Sequence, residues 1–304
     1  MAKQSTCFKC SECGAEFARW QGQCTECFAW NTLKEEVAVK PTIPASALSE
    51  TRFHASSKKP LPLSSVEVTE DEVSSTQFAE LDRVLGKGLV QGAAILLGGE
   101  PGIGKSTLSL QLAMNIAASG KKCLYISGEE SEKQLVLRAK RLGTIPETLL
   151  VYTHTNMEEI LSVIVSEQAE GVILDSIQVL AHPAVSGGAG SVSQIRYCAQ
   201  QLITALKAYN ISGIIIGHIT KDGAIAGPKV LEHLVDVILY FEGERKQELR
   251  LLRCFKNRYG DSFEVGVFKM TEKGLCSENA LQGVFAHQDT LSTPGSVISP
   301  MMEG

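Results

Sequence analysis

The chain has 304 residues, 44% of them hydrophobic and 21% charged, with a formal net charge of −5. That is ordinary globular composition, long enough for a sizeable core and a small appendage. The acidic balance excludes blanket electrostatic binding of nucleic acid, so any such contact must be local. No stretch approaches the roughly 18 apolar residues that span a bilayer. The start, Met1 to Thr6, leads into cysteines rather than a secretory apolar run. Five of the nine cysteines fall between Cys7 and Cys27 in metal-like spacing and the rest are scattered, which suits a reducing, cytoplasmic setting without membrane association.

Residues 1–33 read as a zinc ribbon. Cys10/Cys13 and Cys24/Cys27 form two Cys-x-x-Cys knuckles, each turning two thiolates to one side, and together they complete a tetrahedral Zn²⁺ site. So short a piece has no core of its own, and structural zinc contributes on the order of 10–16 kcal/mol to such peptides. Cys7/Cys10 is an equally good pair by spacing, but Gly14 beside the first knuckle favours Cys10/Cys13. A redox pair is the rival reading. Residues 34–75, with Pro41, Pro44, Pro60 and Pro62 among Ser, Thr, Lys and Glu, carry no apolar period and read as a flexible linker.

From 76 to 280 the chain reads as one compact α/β domain. A short helix at 78–85 ends in a glycine turn at Gly86 and Gly88. Strands are expected at 93–97, 122–127, 149–152, 171–175 and 213–218, with helices at 108–118, up to about 141, at 157–168 and at 193–209 between them. This alternation implies a parallel sheet covered by helices on both faces. Three later apolar runs, 234–241, 249–255 and 263–270, lack intervening helices and should add strands to one edge.

Between the first strand and its helix lies Gly99-Glu100-Pro101-Gly102-Ile103-Gly104-Lys105-Ser106-Thr107, the phosphate-binding loop pattern of a P-loop NTPase. Its glycines let amide N–H groups curl around phosphate oxygens, and the following helix points its positive end at them. Lys105 is placed to neutralise the β- and γ-phosphates of a nucleoside triphosphate, and the Ser106 hydroxyl to ligate Mg²⁺. A strand before and a helix after make a chance glycine turn a poor alternative.

Ligands of such sheets sit beyond the carboxyl ends of the strands. Asp175 ends an apolar strand there and suits the Walker B acid, holding Mg²⁺ through water. Glu129 and Glu130 close the second strand, expected beside the loop strand. Glu129 suits the base that activates water, the alternative being two solvated acids at a helix start. His218 ends the fifth strand and suits a γ-phosphate sensor or a structural histidine. Two loops, the glycine- and hydroxyl-rich 181–192 and the 221–229 stretch with its glycines and flanking lysines, suit phosphate contacts to a single strand, or lids over the nucleotide. The cations of 250–260, Lys256 and Arg258 among them, sit at the end of an apolar strand. They either reach a neighbour's phosphate in a ring or block edge aggregation.

Taken together, the cysteine ribbon with Trp30-Asn31-Thr32, the Gly99–Thr107 loop, Ser127-Gly128-Glu129-Glu130-Ser131 and Lys256-Asn257-Arg258-Tyr259-Gly260 resemble the bacterial RadA (Sms) family over nearly the whole chain. Tyr259 departs mildly from the usual Phe of that last motif. The resemblance implies a RecA-like ATPase core that forms hexameric rings on single-stranded DNA. It implies helicase action and ATP-driven branch migration of branched recombination intermediates in DNA repair, with RecA recombinase as partner. It also implies Glu129 as base, His218 as sensor, and Lys256 and Arg258 acting across a subunit interface or on DNA. The family normally continues into a Lon-protease-like domain. Residues 281–304 read as the opening of that domain or a disordered tail, so ring assembly by this shorter chain is left open. A regulatory RecA-fold ATPase working through protein partners is the alternative, and a small-molecule kinase is disfavoured by the ribbon.

Overall fold

In the computed structural model, the described residues are 6–12, 16–17, 19–25, 28–37, 62, 73–217, 229–243 and 248–278. Cys13, Cys27, His218, the 221–228 stretch, most of the 34–75 segment and the 281–304 tail lie outside them.

Strands β1 (Thr6–Cys10), β2 (Glu16–Phe17) and β3 (Leu33–Val37) form a small antiparallel sheet in the order β2-β1-β3. β3 runs four residues past 33, pairing Val37 with Thr6 and Leu33 with Cys10. Strand β4 (Val73–Ser74) pairs with β5 (Leu89–Val90), and between them helix α1 (Ala79–Leu85) ends on Gly86 at φ 93°, the glycine turn expected.

The main sheet is built from β6 (Ala94–Gly99), β7 (Cys123–Ser127), β8 (Leu149–Tyr152), β9 (Gly171–Asp175), β10 (Ser212–Ile216), β11 (Val237–Glu242), β12 (Leu249–Asn257), β13 (Val265–Thr271) and β14 (Gly274–Ser277). Its order is β14-β13-β12-β11-β6-β10-β9-β7-β8. The run from β11 to β8 is parallel, and β12 to β14 extend it antiparallel.

Helices α2 (Lys105–Ala118), α3 (Glu132–Leu142), α4 (Met157–Ser166), α5 (Val192–Ala208) and α6 (Lys229–Leu234) connect these strands. Alternate residues divide the sheet between two cores. Ile95, Leu97, Tyr125, Ile173 and Leu239 face α1, α2 and α3; Leu96, Ile126, Leu174, Ile215 and Ile238 face α4, α5 and α6. This is a parallel-dominant α/β fold with helices on both faces, as the alternation of apolar runs implies. Burial of each large aliphatic side chain contributes about 1.5–3 kcal/mol.

Two local expectations change. β7 does not lie beside β6, because β10 and β9 stand between them. Successive parallel strands are joined by crossovers, and a crossover can skip positions, so order along the chain does not fix adjacency in the sheet. Helix α6 also precedes β11, where the sequence reading ran a loop up to 229 and began a strand at 234.

Candidate functional site

Gly99 leaves β6 at φ 151°, and a Cβ there would stand 2.5 Å from the Phe241 carbonyl oxygen. Gly104, the residue before α2, has φ 119°, and a Cβ there would meet Met270 Cε at 2.7 Å. Only glycine fits both positions, since φ is left-handed and β11 and β13 press from beneath. The loop is therefore held from below by the antiparallel extension. Buried Arg250 of β12 donates from Nε to the Ile103 carbonyl at 3.1 Å. Gln111 of α2 clamps Leu275 of β14, donating to its carbonyl at 3.1 Å and accepting from its N–H at 2.8 Å.

Lys105 opens α2 and is buried, donating from Nζ to the carbonyls of Gly99 (2.7 Å) and Glu100 (2.9 Å). Burial pulls its ammonium down to about 8, against the opposing pull of Asp175, Glu129 and Glu100. Those three carboxylates are thus the negative charges that face it. Ser106 is half-buried on the next position of the helix.

Asp175, buried at the end of β9, accepts a hydrogen bond from Tyr125 Oη at 2.8 Å. Ser127 of β7 lies opposite Asp175 in the ladder, which brings the exposed Glu129 next to the β9 end although β7 is remote from β6. Glu129 accepts from Ser176 Oγ at 2.5 Å. Glu130 instead pairs with Arg138 of α3. The structure thus brings Lys105, Asp175 and Glu129 together and turns Glu130 away. A serine hydroxyl and carboxylate oxygens are the hard donors that suit Mg²⁺. Asp175 and Ser106 would hold the ion, which supplies charge neutralisation for the phosphates.

Lys256 and Arg258 sit elsewhere. β12 runs antiparallel to β11, so Arg250 lies at the loop end and Lys256 at the other end, about 20 Å away at the strand rise. Lys256 donates to the carbonyls of Glu232 (2.7 Å) and Val235 (2.8 Å). Arg258 pairs with the buried Asp236 at 3.1 Å, which also takes Lys207 at 2.9 Å and the Ala94 N–H at 3.1 Å. Arg250 and Arg253 are not free strand-end cations either: one supports the loop and the other pairs with Glu242 at 2.8 Å.

The 181–192 loop, read as flexible, is pinned. Gln194, buried on α5, accepts from the His182 N–H (2.8 Å) and donates to the carbonyls of His182 (3.2 Å), Val185 (2.7 Å) and Gly187 (3.1 Å). His182 also meets Glu158 at 3.2 Å and packs on Tyr197.

In the ribbon, Cys10 ends β1 and Cys24 follows the short Gln23 bridge; both are buried. Cys10 Sγ lies 3.1 Å from Thr32 Oγ1. The turn begins at Ser11, after Cys10, whereas Cys7 lies inside β1 opposite Glu36, which favours Cys10 as the knuckle residue. Among the described residues no group of three metal-ligating side chains converges, since Cys13 and Cys27 fall outside them. Two buried thiols at the mouth of tight turns fit zinc.

Tyr125, Ser176, Arg250, Gln194 and Asp236 were missed by sequence reasoning. For Arg250 the signal was parity: it shares the inward phase of β12 with Leu252 and Cys254, all three buried. For Tyr125 it was the same parity, two positions from Ser127, which pairs with Asp175. Gln194, inside an ordinary helical pattern, gave no signal.

The described residues contain no helix long and apolar enough to cross a membrane. Fold and site together define a RecA-like P-loop ATPase. Residues 74–150 match the ATPase family described as KaiC, and residues 8–35 match the family described as Rubredoxin metal binding domain. A KaiC-like protein from Pyrococcus horikoshii shares the fold, with a TM-score of 0.57 and 18% identity over 68% of this chain and 99% of that one. Along its full length the chain is 44% identical to the DNA repair protein RadA of Bacillus subtilis and 45% identical to those of Aquifex aeolicus and Campylobacter jejuni. It covers 66%, 66% and 67% of them, about two thirds of their length. The chain belongs to the RadA family.

Proposed function

We propose that this chain is a DNA-dependent ATPase of DNA repair that moves along single-stranded DNA as a helicase and promotes branch migration of recombination intermediates alongside RecA recombinase. The observation that carries the reading is the separation of its charges. Lys105, Asp175 and Glu129 gather at the carboxyl end of the sheet, while Lys256 and Arg258 are anchored at the opposite end of the same subunit. From there neither cation reaches its own nucleotide, which supports a role on a neighbour's phosphates or on DNA within a ring of subunits, read as a hexamer.

Within the subunit, Gly99 to Thr107 enclose the phosphates, Lys105 neutralises them, and Glu129 orients and deprotonates the attacking water. His218 senses the γ-phosphate, and Cys10, Cys13, Cys24 and Cys27 hold zinc in the ribbon. The pinned 181–192 loop leaves β9 on the ligand side and is the candidate DNA contact.

The test is ATP turnover with and without single-stranded oligonucleotide across a salt series. Stimulation that falls steeply with salt supports the reading. Turnover indifferent to DNA moves the protein to the regulatory class, and unimpaired turnover by Lys105→Ala removes the nucleotide site itself.

A further inference from the structure

Two hydrogen bonds cross between β7 and β9 in opposite directions. From within β7, Tyr125 donates Oη to Asp175 Oδ2 at 2.8 Å; from just past β9, Ser176 donates Oγ to Glu129 Oε1 at 2.5 Å. Both donors are fully buried. The ladder explains the first bond: Tyr125 pairs with Ile173 and Ser127 with Asp175, so Tyr125 and Asp175 are diagonal neighbours on the face covered by α2.

Packing does not require the Tyr125 hydroxyl. Around Tyr125 the layer is apolar, with Leu135, Ala139 and Ile173 in the same cluster, where a phenyl ring would fill the space as well. A buried phenol is costly unless its O–H is matched, and here the partner is an acid of the site.

We propose that Tyr125 and Ser176 are positioning residues that divide the work between two carboxylates: Tyr125 holds Asp175 in orientation for Mg²⁺, and Ser176 fixes the approach of Glu129 to the attacking water. This rests on the reading of Asp175 and Glu129 as the metal-side and water-side acids. Without the phenol, Asp175 loses the hydrogen bond that orients its carboxylate, and its hold on Mg²⁺ weakens.

The experiment titrates Mg²⁺ against binding of a fluorescent non-hydrolysable ATP analogue, and measures ATP turnover separately. Tyr125→Phe is expected to need about tenfold more Mg²⁺ for the same nucleotide affinity. Its affinity in EDTA stays at the wild-type value. Ser176→Ala is expected to bind Mg²⁺ and analogue as wild type while kcat falls about tenfold. A wild-type Mg²⁺ requirement in Tyr125→Phe, or unaltered turnover in Ser176→Ala, overturns the proposal. Equal losses with and without Mg²⁺ also overturn it, by assigning the pair to packing. If Asp175→Asn and Glu129→Gln themselves bind Mg²⁺ and turn over normally, the underlying reading fails and the proposal with it.

Discussion

Arg250 donates from Nε to the carbonyl of Ile103, 3.1 Å away and 147 residues earlier in the chain, tying β12 to the phosphate loop. A loop that turns its amides inward to a ligand turns carbonyls outward, and buried carbonyls need partners. The guanidinium supplies one from beneath. Arg250→Ala should weaken nucleotide binding about tenfold and lower stability by about 3 kcal/mol, since it strands a buried acceptor. Arg250→Lys keeps the charge without the planar donor at Ile103, so stability recovers more than affinity does. Nucleotide titration beside chemical denaturation separates the two; affinity that tracks stability in both variants would reduce Arg250 to a packing role.

Lys105 gives the nucleotide site a pH signature. Burial sets its ammonium at about 8 in the free protein. A bound triphosphate brings negative charge against Lys105 and raises that value. Below pH 8 the lysine is charged in both states, and binding takes up no proton there. Above it, and up to the bound-state value, binding takes up a proton and affinity declines about tenfold per pH unit. Calorimetry in buffers of different ionisation enthalpy should find uptake approaching one proton near pH 9 and little near pH 7. Equal uptake at both would show that Lys105 does not contact the phosphates.

The P-loop, both cores and the antiparallel extension were legible because each depends on local pattern: glycine spacing, and apolar residues recurring with period two or near 3.6. Asp175 and Glu129 were legible as acids at strand ends. Their adjacency was not legible: the Glu129 strand is expected beside β6, whereas it pairs with β9 and so meets the Asp175 end. Lys256 and Arg258 were seen as a cluster, but their anchorage on Asp236 and α6 depends on a helix hidden between a glycine-rich loop and an apolar run. Pairing between distant segments leaves no periodic trace: parity marks Arg250 as inward-facing but not its bond to Ile103, and Gln194 surfaced only in three dimensions.

Asp236 is 1% exposed and collects Ala94 N–H, Lys207 and Arg258 where β6 begins. Removing it leaves an amide and two cations without their acceptor. Asp236→Ala should cost about 3–5 kcal/mol, read as a lower denaturation midpoint at unchanged slope. Asp236→Asn keeps an acceptor for Ala94 and should lose less. A midpoint unmoved by Asp236→Ala would mean that solvent replaces all three contacts.

Zinc should matter to the ribbon and not to the core. Cys10 and Cys24 are buried in a cluster with Leu33, with Phe8 and Phe17 half-buried against it, too little apolar surface to hold three short strands alone. Chelation is expected to expose residues 6–37 to protease while the 73–278 core melts as before. Protection of the ribbon that survives removal of all bound metal, confirmed by elemental analysis, would leave the redox reading of the cysteines standing.

Gln194 serves both sides of one loop with a single side-chain amide: its oxygen takes the His182 N–H at 2.8 Å, and its nitrogen reaches the Val185 carbonyl at 2.7 Å and the Gly187 carbonyl at 3.1 Å. The loop is rich in glycine and hydroxyls, so its own sequence gives it little reason to hold one shape. Its order is borrowed from α5, where Gln194 is 2% exposed. Gln194→Ala removes these bonds at once, and amide exchange between 183 and 190 should accelerate about thirtyfold to a hundredfold, the equivalent of 2–3 kcal/mol. If the loop grips a DNA strand, the same variant should weaken DNA stimulation while basal ATP turnover holds, because the lost contacts lie beyond the phosphate cradle. Exchange unchanged in the variant would mean that His182, through Glu158 and Tyr197, holds the loop by itself.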